Sequence, residues 1–476
     1  MLNFIKKLIP RKIFNYLQFP YHFLVAFLAA LVYRFPSRHL IVIGITGTTG
    51  KTSTVCLASK MLSLAGYKTG YTSTAVFSDG DTEWLNDKKM TMPGRFFIQK
   101  TLRQMVKNKC RYAIVETTSE GIKQFRHRFI NYDLLVFTSL YPEHIESHGS
   151  FEKYKETKGR LFAHLKNCST KYINEKRLVV HPQNNLKKLD LTRVLKTIIV
   201  NGDDEYANYF LSFWSEAKIA YSFKPEIKVE KFIKNLASEA VVKDFSLVKG
   251  SDISLSPQGV SLSIENQVID SNLLGEFNAS NILAAYAIGL NQRIKEGKIK
   301  EGLESVHGLA GKLEIISAGQ NFTAIVDYSF EPKALEKLYE AIALIPREKV
   351  IHVLGSAGGG RDKARRPILG KIAAEKADIV IVTDEDPYDE DPSIIINQVA
   401  AGAEEAGKEL NENLFKILDR REAIKKALIL AEEGDLVLFT GKGAEQYICV
   451  ANGQKIPWDE RVVVKEEIEE RIKVDK

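Results

Sequence analysis

Cysteine is scarce in this chain. Only four occur, Cys56, Cys110, Cys168 and Cys449, far apart and never as Cys-x-x-Cys. That disfavours a zinc site or a disulfide framework and fits a reducing cytoplasm. The apolar run Phe23–Tyr33, FLVAFLAALVY, is about half of the ~20 residues a spanning helix needs, and no small-residue cleavage site follows it. No basic-aromatic stripe argues for nucleic acid. No internal repeat or low-complexity segment is present. The chain has 476 residues, 45% hydrophobic and 27% charged, with a net charge of +7. This length exceeds one core and suggests two or three domains of an ordinary soluble protein. The mild positive charge suits small anionic substrates such as nucleotides.

The most informative stretch is IVIGITGTTGKTST, Ile41 to Thr54. A β-branched apolar run reads as a buried parallel strand. A turn rich in Gly and Thr follows, and Lys51-Thr52-Ser53-Thr54 opens a helix whose apolar side carries Ala58, Met61, Leu62 and Leu64. Strand, glycine turn and helix start together make a phosphate cradle: backbone N–H groups and the positive helix end face the anion. Lys51 adds a point charge, and the Thr52 hydroxyl can hold Mg²⁺. Ile45 stands where the strict pattern has its first Gly, so the loop is a GTxGK[ST] variant anchored by Gly47 and Gly50.

Past the loop, strand and helix patterns alternate: Tyr71–Val76, Phe96–Lys107, Tyr112–Glu116, Leu134–Thr138 and Phe151–Phe162. This is the rhythm of a parallel, doubly wound sheet. Glu116 falls at the C-terminal edge of its strand, where such sheets bind ligands. Glu143, His144, Glu146 and His148 crowd one strand-end loop, which reads as a neighbourhood for metal or phosphate. Short apolar runs between residues 170 and 270 read as later strands with a small antiparallel excursion. Asn278 and Asn281, three residues apart before the helix Ile282–Leu290, read as caps. Near His307–Gly311 a second αβ series begins, with glycine clusters or acids after strands 350–354, 379–383 and 436–439. The expected organisation is an N-terminal extension (1–39), a central P-loop domain with a parallel sheet (40–306) and a C-terminal Rossmann-like α/β domain (307–476).

These blocks resemble the Mur ligase family, which joins amino acids to a carboxylate at the expense of ATP, and most of all its branch that adds the third residue of the peptidoglycan stem peptide. The resemblance rests on GTTGKTST, TMP (91–93), ETTSEG (116–121), EHIESHGSFEKYKETKGRLF, GEFNASN, GKLE (311–314), VDYSFEPKALE, GSAGGGRDKARRP, TDEDPYDEDP, GDLVLFTGKGAE and WDER (458–461). It implies ATP and Mg²⁺ as cofactors, and a UDP-muramoyl peptide or similar acidic substrate plus an amino acid as partners. It also implies roles. Gly47, Thr48, Thr49, Gly50, Lys51, Thr52 and Ser53 hold ATP, with Asn278 and Asn281 near the adenine. Lys312, where the family has Arg, and Asp327 contact ATP from the last domain. Thr52, Glu116 and His144 hold metal, together with Lys158 as a carbamate. Lys51, Lys158, His144 and Glu116 carry the catalysis. Thr91, Thr118, Ser119, Arg361, Asp384, Asp386, Tyr388, Asp389, Gly441 and Glu445 contact the substrates.

The sequence departs from the family in places. Only forty residues precede the loop, where relatives carry a uridine-binding domain. Phe330 and Ala444 replace two histidines, and Tyr388 replaces the Arg that reads the second carboxylate of diaminopimelate. With the surrounding acids, this points to a diamino acid, lysine- or ornithine-like with diaminopimelate as the alternative, although Asp391 can equally cap the helix starting at Pro392. The basic, amphipathic first forty residues either lie in a membrane interface, placing the protein at the inner face, or pack on protein. Competing functions are a folylpolyglutamate-type ligase and a non-catalytic nucleotide-binding membrane partner.

Overall fold

The computed structural model describes residues 11–143, 145–174, 179–180, 191–224 and 244–474. Outside them lie the expectation at His144, the first ten residues of the N-terminal extension and part of the short apolar runs expected between residues 170 and 270.

Among the described residues one sheet has 11 strands and another has 6. At the centre of the large sheet is Ile41–Thr46, paired in parallel with Tyr112–Glu116 on one side and Leu134–Phe137 on the other. Parallel pairing continues through Thr69–Thr72 at one side, and through Thr197–Asn201, Ala217–Ser222 and Asp244–Ser256 at the other. Antiparallel hairpins close both edges. The expected strand Tyr71–Val76 is in fact such a turn: Thr69–Thr72 folds back onto Val76–Ser78, because Ser73 caps the reversal by exchanging hydrogen bonds with Val76.

All six residues of Ile41–Thr46 are buried, because both sheet faces are covered. Ile41, Ile43 and Ile45 pack towards Val55, Ala58, Met61 and the helix Phe277–Asn291. Leu40 and Val42 pack towards Ile98, Leu102, Leu161 and Phe162 on the opposite face. A continuous apolar run is what such two-sided burial requires. Leu64 departs from expectation: it ends its helix 38% exposed. Asp133 pins the base of the central strand. Its carboxylate accepts from the Val42 N–H and from the buried Lys171 and Lys196 ammonium groups, so one buried anion meets two cations whose other N–H groups reach main-chain carbonyls.

The smaller sheet runs Glu314–Ile316, Thr323–Val326, Leu436–Phe439, Val350–Leu354, Ile379–Val382 and Leu414–Lys416. It is parallel apart from its first strand. Helices cover both its faces. Asp391 does cap its helix, accepting from the Ser393 N–H.

The helix Arg11–Val32 packs on the body through Ala26, Ala29 and Ala30. Phe19 and Phe23 meet the ring of Phe125, and Phe23 and Phe27 meet that of Phe129. Leu24, Leu28, Leu31 and Val32 remain exposed on it. Among the described residues no helix is long and apolar enough to cross a membrane.

Candidate active site

The strand Ile41–Thr46 ends in a loop that must pass extremely close to its neighbour. A Cβ on Gly47 would lie 1.9 Å from the Thr138 hydroxyl, and one on Gly50 (φ 80°) would lie 2.4 Å from Asn281 Oδ1. Only glycine satisfies both positions. The loop is fixed by Thr48 N–H to Ser139 O (2.7 Å) and by the Thr138 hydroxyl to Thr49 O (2.6 Å). The helix Lys51–Leu64 then starts with Thr52 and Ser53 in its first turn. The Lys51 ammonium curls onto Thr48 O at 2.6 Å. Burial lowers its pKa against the opposing pull of Glu116 and Glu143, so an anion entering the loop would relieve a desolvated cation.

Glu116, fully buried at the end of its strand, accepts from the Thr52 hydroxyl (3.0 Å) and from the N–H and hydroxyl of Thr74 (both 2.8 Å). Thr91 bonds to Thr74 (2.8 Å) in turn. Thr118 caps the short helix Ser119–Lys123, and Ser119 meets the His148 ring. A carboxylate and hydroxyl oxygens beside a phosphate loop are the hard donors that Mg²⁺ takes, so the residues present fit that ion. Among the described residues no three His, Cys, Asp or Glu gather as a metal site; His144 is outside them.

Lys158 lies behind the loop. It is almost wholly buried, and its amine donates to Gly47 O at 2.8 Å. Burial and then the Lys51 charge pull its pKa well below the ordinary lysine value, favouring a neutral amine. Asn278 and Asn281 are not caps. The helix begins at Phe277, and both sit buried inside it, with Asn278 donating to Leu274 O and Asn281 to Asn278 Oδ1. Asn281 Oδ1 lies against Gly50, and Asn278 holds Asn281 in place.

One cavity of about 1590 Å³ runs from this loop to the smaller sheet. Its lining includes Thr48 to Ser53, Thr91, Glu116, Thr118, Ser119, Asn278, Asn281, Lys312, Asp327, Arg361, Asp386, Tyr388, Gly441 and Glu445. Asp327 accepts from Leu313 N–H and Ser329 N–H, so it shapes the loop that carries Lys312. Arg361 lies over the Tyr388 ring. A Cβ on Gly441 would meet the Glu385 carboxylate, and burial together with the Asp386 charge pushes Glu385 up to about 7.

Two expected contacts fall away. Asp389 is exposed and accepts from Asn452 N–H, and Asp384 accepts from Glu385 N–H outside the cavity lining. Asp386 and Glu445 line the cavity, but they are paired to Lys89 and Lys442. Neither lysine was expected. Lys442 lies within a glycine block and was readable; Lys89 carries no local signal. Tyr141 and Glu331 also meet across the cavity at 2.8 Å; burial and the Glu143 charge push Glu331 up to about 7. Phe330, in place of a histidine, lies under Arg365.

Residues 45–195 match the Mur ligase middle domain, and residues 311–443 match the Mur ligase glutamate ligase domain. The chain is 34% identical over 439 residues to UDP-N-acetylmuramyl-tripeptide synthetase of Roseiflexus sp., covering 91% of this chain and 79% of that protein. The chain belongs to the Mur ligase family. Its members are ATP-dependent, ADP-forming amide ligases that use Mg²⁺, and this chain is such an enzyme. UDP-N-acetylmuramoyl-L-alanyl-D-glutamate--2,6-diaminopimelate ligase of Geobacillus kaustophilus is 32% identical over 448 residues, 94% of this chain and 82% of that one. The Mycobacterium tuberculosis folylpolyglutamate synthase structure shares the fold, with TM-score 0.60, 15% identity and coverage of 87% of this chain and 91% of that one. The Mur ligase loop gives a direct expectation: Lys51→Ala lowers kcat by ~10²–10³-fold with an unchanged far-UV circular dichroism spectrum. A variant as active as wild type removes Lys51 from the chemistry.

Proposed function

We propose that this ligase joins an amino acid with a side-chain ammonium, L-lysine or ornithine, to the free carboxylate of a UDP-muramoyl peptide in peptidoglycan precursor synthesis. The observation that carries the reading is the shared cavity: a phosphate loop at one end, and at the other two acids already shaped around ammonium groups. Tyr388 has no guanidinium for a second carboxylate. The relatives named above act, by their names, on muramyl substrates, which supports the same substrate class here.

The chemistry proposed is phosphoryl transfer from ATP to the substrate carboxylate, with ADP leaving. The amine nitrogen then attacks the acyl carbon, loses a proton, and inorganic phosphate departs. Bringing two anions together requires cations, which Lys51, Lys312 and Arg361 supply around the cavity. Mg²⁺ held at Thr52 and Glu116 would neutralise further phosphate charge. Residues 40–306 and 307–476 act as two units that close on the reactants and exclude water, which would otherwise hydrolyse the acyl phosphate. Lys158 acts as a carbamate: its neutral amine adds to CO₂ with loss of a proton, turning an amine into an anionic oxygen ligand. The enzyme works in the cytoplasm. Through Leu24, Leu28, Leu31 and the basic flank before them it touches the inner membrane face.

Measuring ADP release with UDP-muramoyl dipeptide and a panel of amino acids tests the reading. The expected order of kcat/KM places L-lysine or ornithine first, above meso-diaminopimelate and L-glutamate. A preference for diaminopimelate rejects the proposed amino acid, and a preference for L-glutamate with a folate acceptor favours the polyglutamate-type reading that the shared fold allows. Lys158→Ala should lose most activity and regain part of it with added short carboxylates; full activity without them makes Lys158 a packing residue. Leu24→Glu/Leu28→Glu should abolish sedimentation with anionic liposomes, and a wild type that ignores liposomes ends the membrane proposal.

A further inference from the structure

Lys89 lies in the loop between strand Glu83–Leu85 and helix Arg95–Lys107 of the larger unit, yet its ammonium is buried in the smaller one. Its side chain is 7% exposed, and its Nζ sits 2.6 Å from Asp386 Oδ2 and 2.5 Å from Glu445 Oε2. The same two acids also receive Lys442, which is wholly buried, at 3.0 Å each. Lys442 belongs to the acids' own unit and is anchored further by the Tyr447 carbonyl at 2.8 Å. The other acceptor positions are taken locally. Cys449 N–H donates to Asp386 Oδ1, and the Tyr328 hydroxyl donates to Glu445 Oε1.

The charges decide what the pocket can hold. Two carboxylates and two ammonium groups are neutral together, and a third cation has no net attraction into so buried a place. Without Lys89 the pocket carries one net negative charge: Asp386 Oδ2 loses its ammonium, and Glu445 Oε2 keeps only Lys442. That is a site for one primary ammonium on a flexible methylene stem. Burial alone would lower the Lys89 pKa, but Glu445 and Asp386 outweigh it and raise it, so the tenant is charged. Lys89 and the two acids all line the cavity of the phosphate loop, and Lys89 reaches the acids from the unit opposite.

We propose that Lys89 is a tethered competitor for the amino acid. It occupies the subsite of the side-chain ammonium, and the incoming amino acid displaces it. The proposal rests on the reading that Asp386 and Glu445 bind that ammonium. Lys89 is thus a specificity-determining residue that admits only amino acids able to replace one ammonium by another. A neutral side chain cannot displace it without leaving two carboxylates against a single lysine. When the competent site is open only a fraction of the time, the apparent affinity falls by that fraction.

Steady-state kinetics of wild type, Lys89→Met and Lys89→Arg with L-lysine, ornithine and L-norleucine test this. Lys89→Met should lower the KM for L-lysine or ornithine about tenfold, as for a plug seated about nine-tenths of the time, with kcat and the KM for ATP little changed. Lys89→Arg keeps the charge and should stay near wild type. An unchanged or raised KM in Lys89→Met, or a fall in kcat alone, overturns the proposal and leaves Lys89 a structural clasp. In wild-type enzyme, amine labelling of Lys89 read by mass spectrometry should rise when L-lysine saturates the site; equal labelling with and without it also overturns the proposal. Failure of the underlying reading looks different: wild type uses L-norleucine as well as L-lysine, and Asp386→Asn leaves that indifference unchanged.

Discussion

The rest of this molecule depends on holding like charges close together in one cavity. The reaction of the family brings a nucleotide and a carboxylate into contact. The chain answers with a desolvated lysine at the phosphate loop, a buried carboxylate among hydroxyls, and a balanced set of two acids and two lysines at the far end of the cavity. At the foot of the central strand Asp133 is held by Lys171 and Lys196 together, and main-chain carbonyls take the remaining N–H groups of the two cations. Removing one partner from such a set leaves a naked buried charge, which costs far more than the set contributes. The loop and the strand that positions it are therefore tied by the same kind of interaction that shapes the substrate cavity.

Much of this was legible in the residues. Gly47, Gly50, Lys51 and Thr52 follow a run buried on both faces, and local chemistry alone dictates strand, turn and helix there. Glu116 was legible because strand ends are where such sheets bind ligands. The reversal at Ser73 was not, since one apolar stretch reads alike whether extended or folded back. Asn278 and Asn281 look like caps because their type favours caps; their burial, with Asn281 against Gly50, is a tertiary fact. The pairing of Lys89 with Asp386 and Glu445 joins segments far apart in sequence, and no local pattern marks it. Asp389 looked equivalent to Asp386 by composition, yet one faces Asn452 and the other the cavity.

The two ends of the cavity are built differently. The phosphate end is built from backbone and glycine and leaves little latitude. The far end is built from side chains on strand-end loops, such as Tyr388 and Glu445, which can change without disturbing the sheet. Arg420 reinforces those loops from behind, bonding the Asp384 and Thr440 carbonyls while pairing with Glu460.

Phosphoryl transfer to the substrate carboxylate before the amine reacts is the central step of this account. Positional isotope exchange in ATP labelled with heavy oxygen in its β,γ-bridge tests it most directly. With UDP-muramoyl dipeptide present and amino acid absent, the label should scramble into the non-bridging β-phosphate positions, and without the dipeptide it should not. Normal ligation by an enzyme preparation that shows no scrambling under trapping-free conditions would contradict the account.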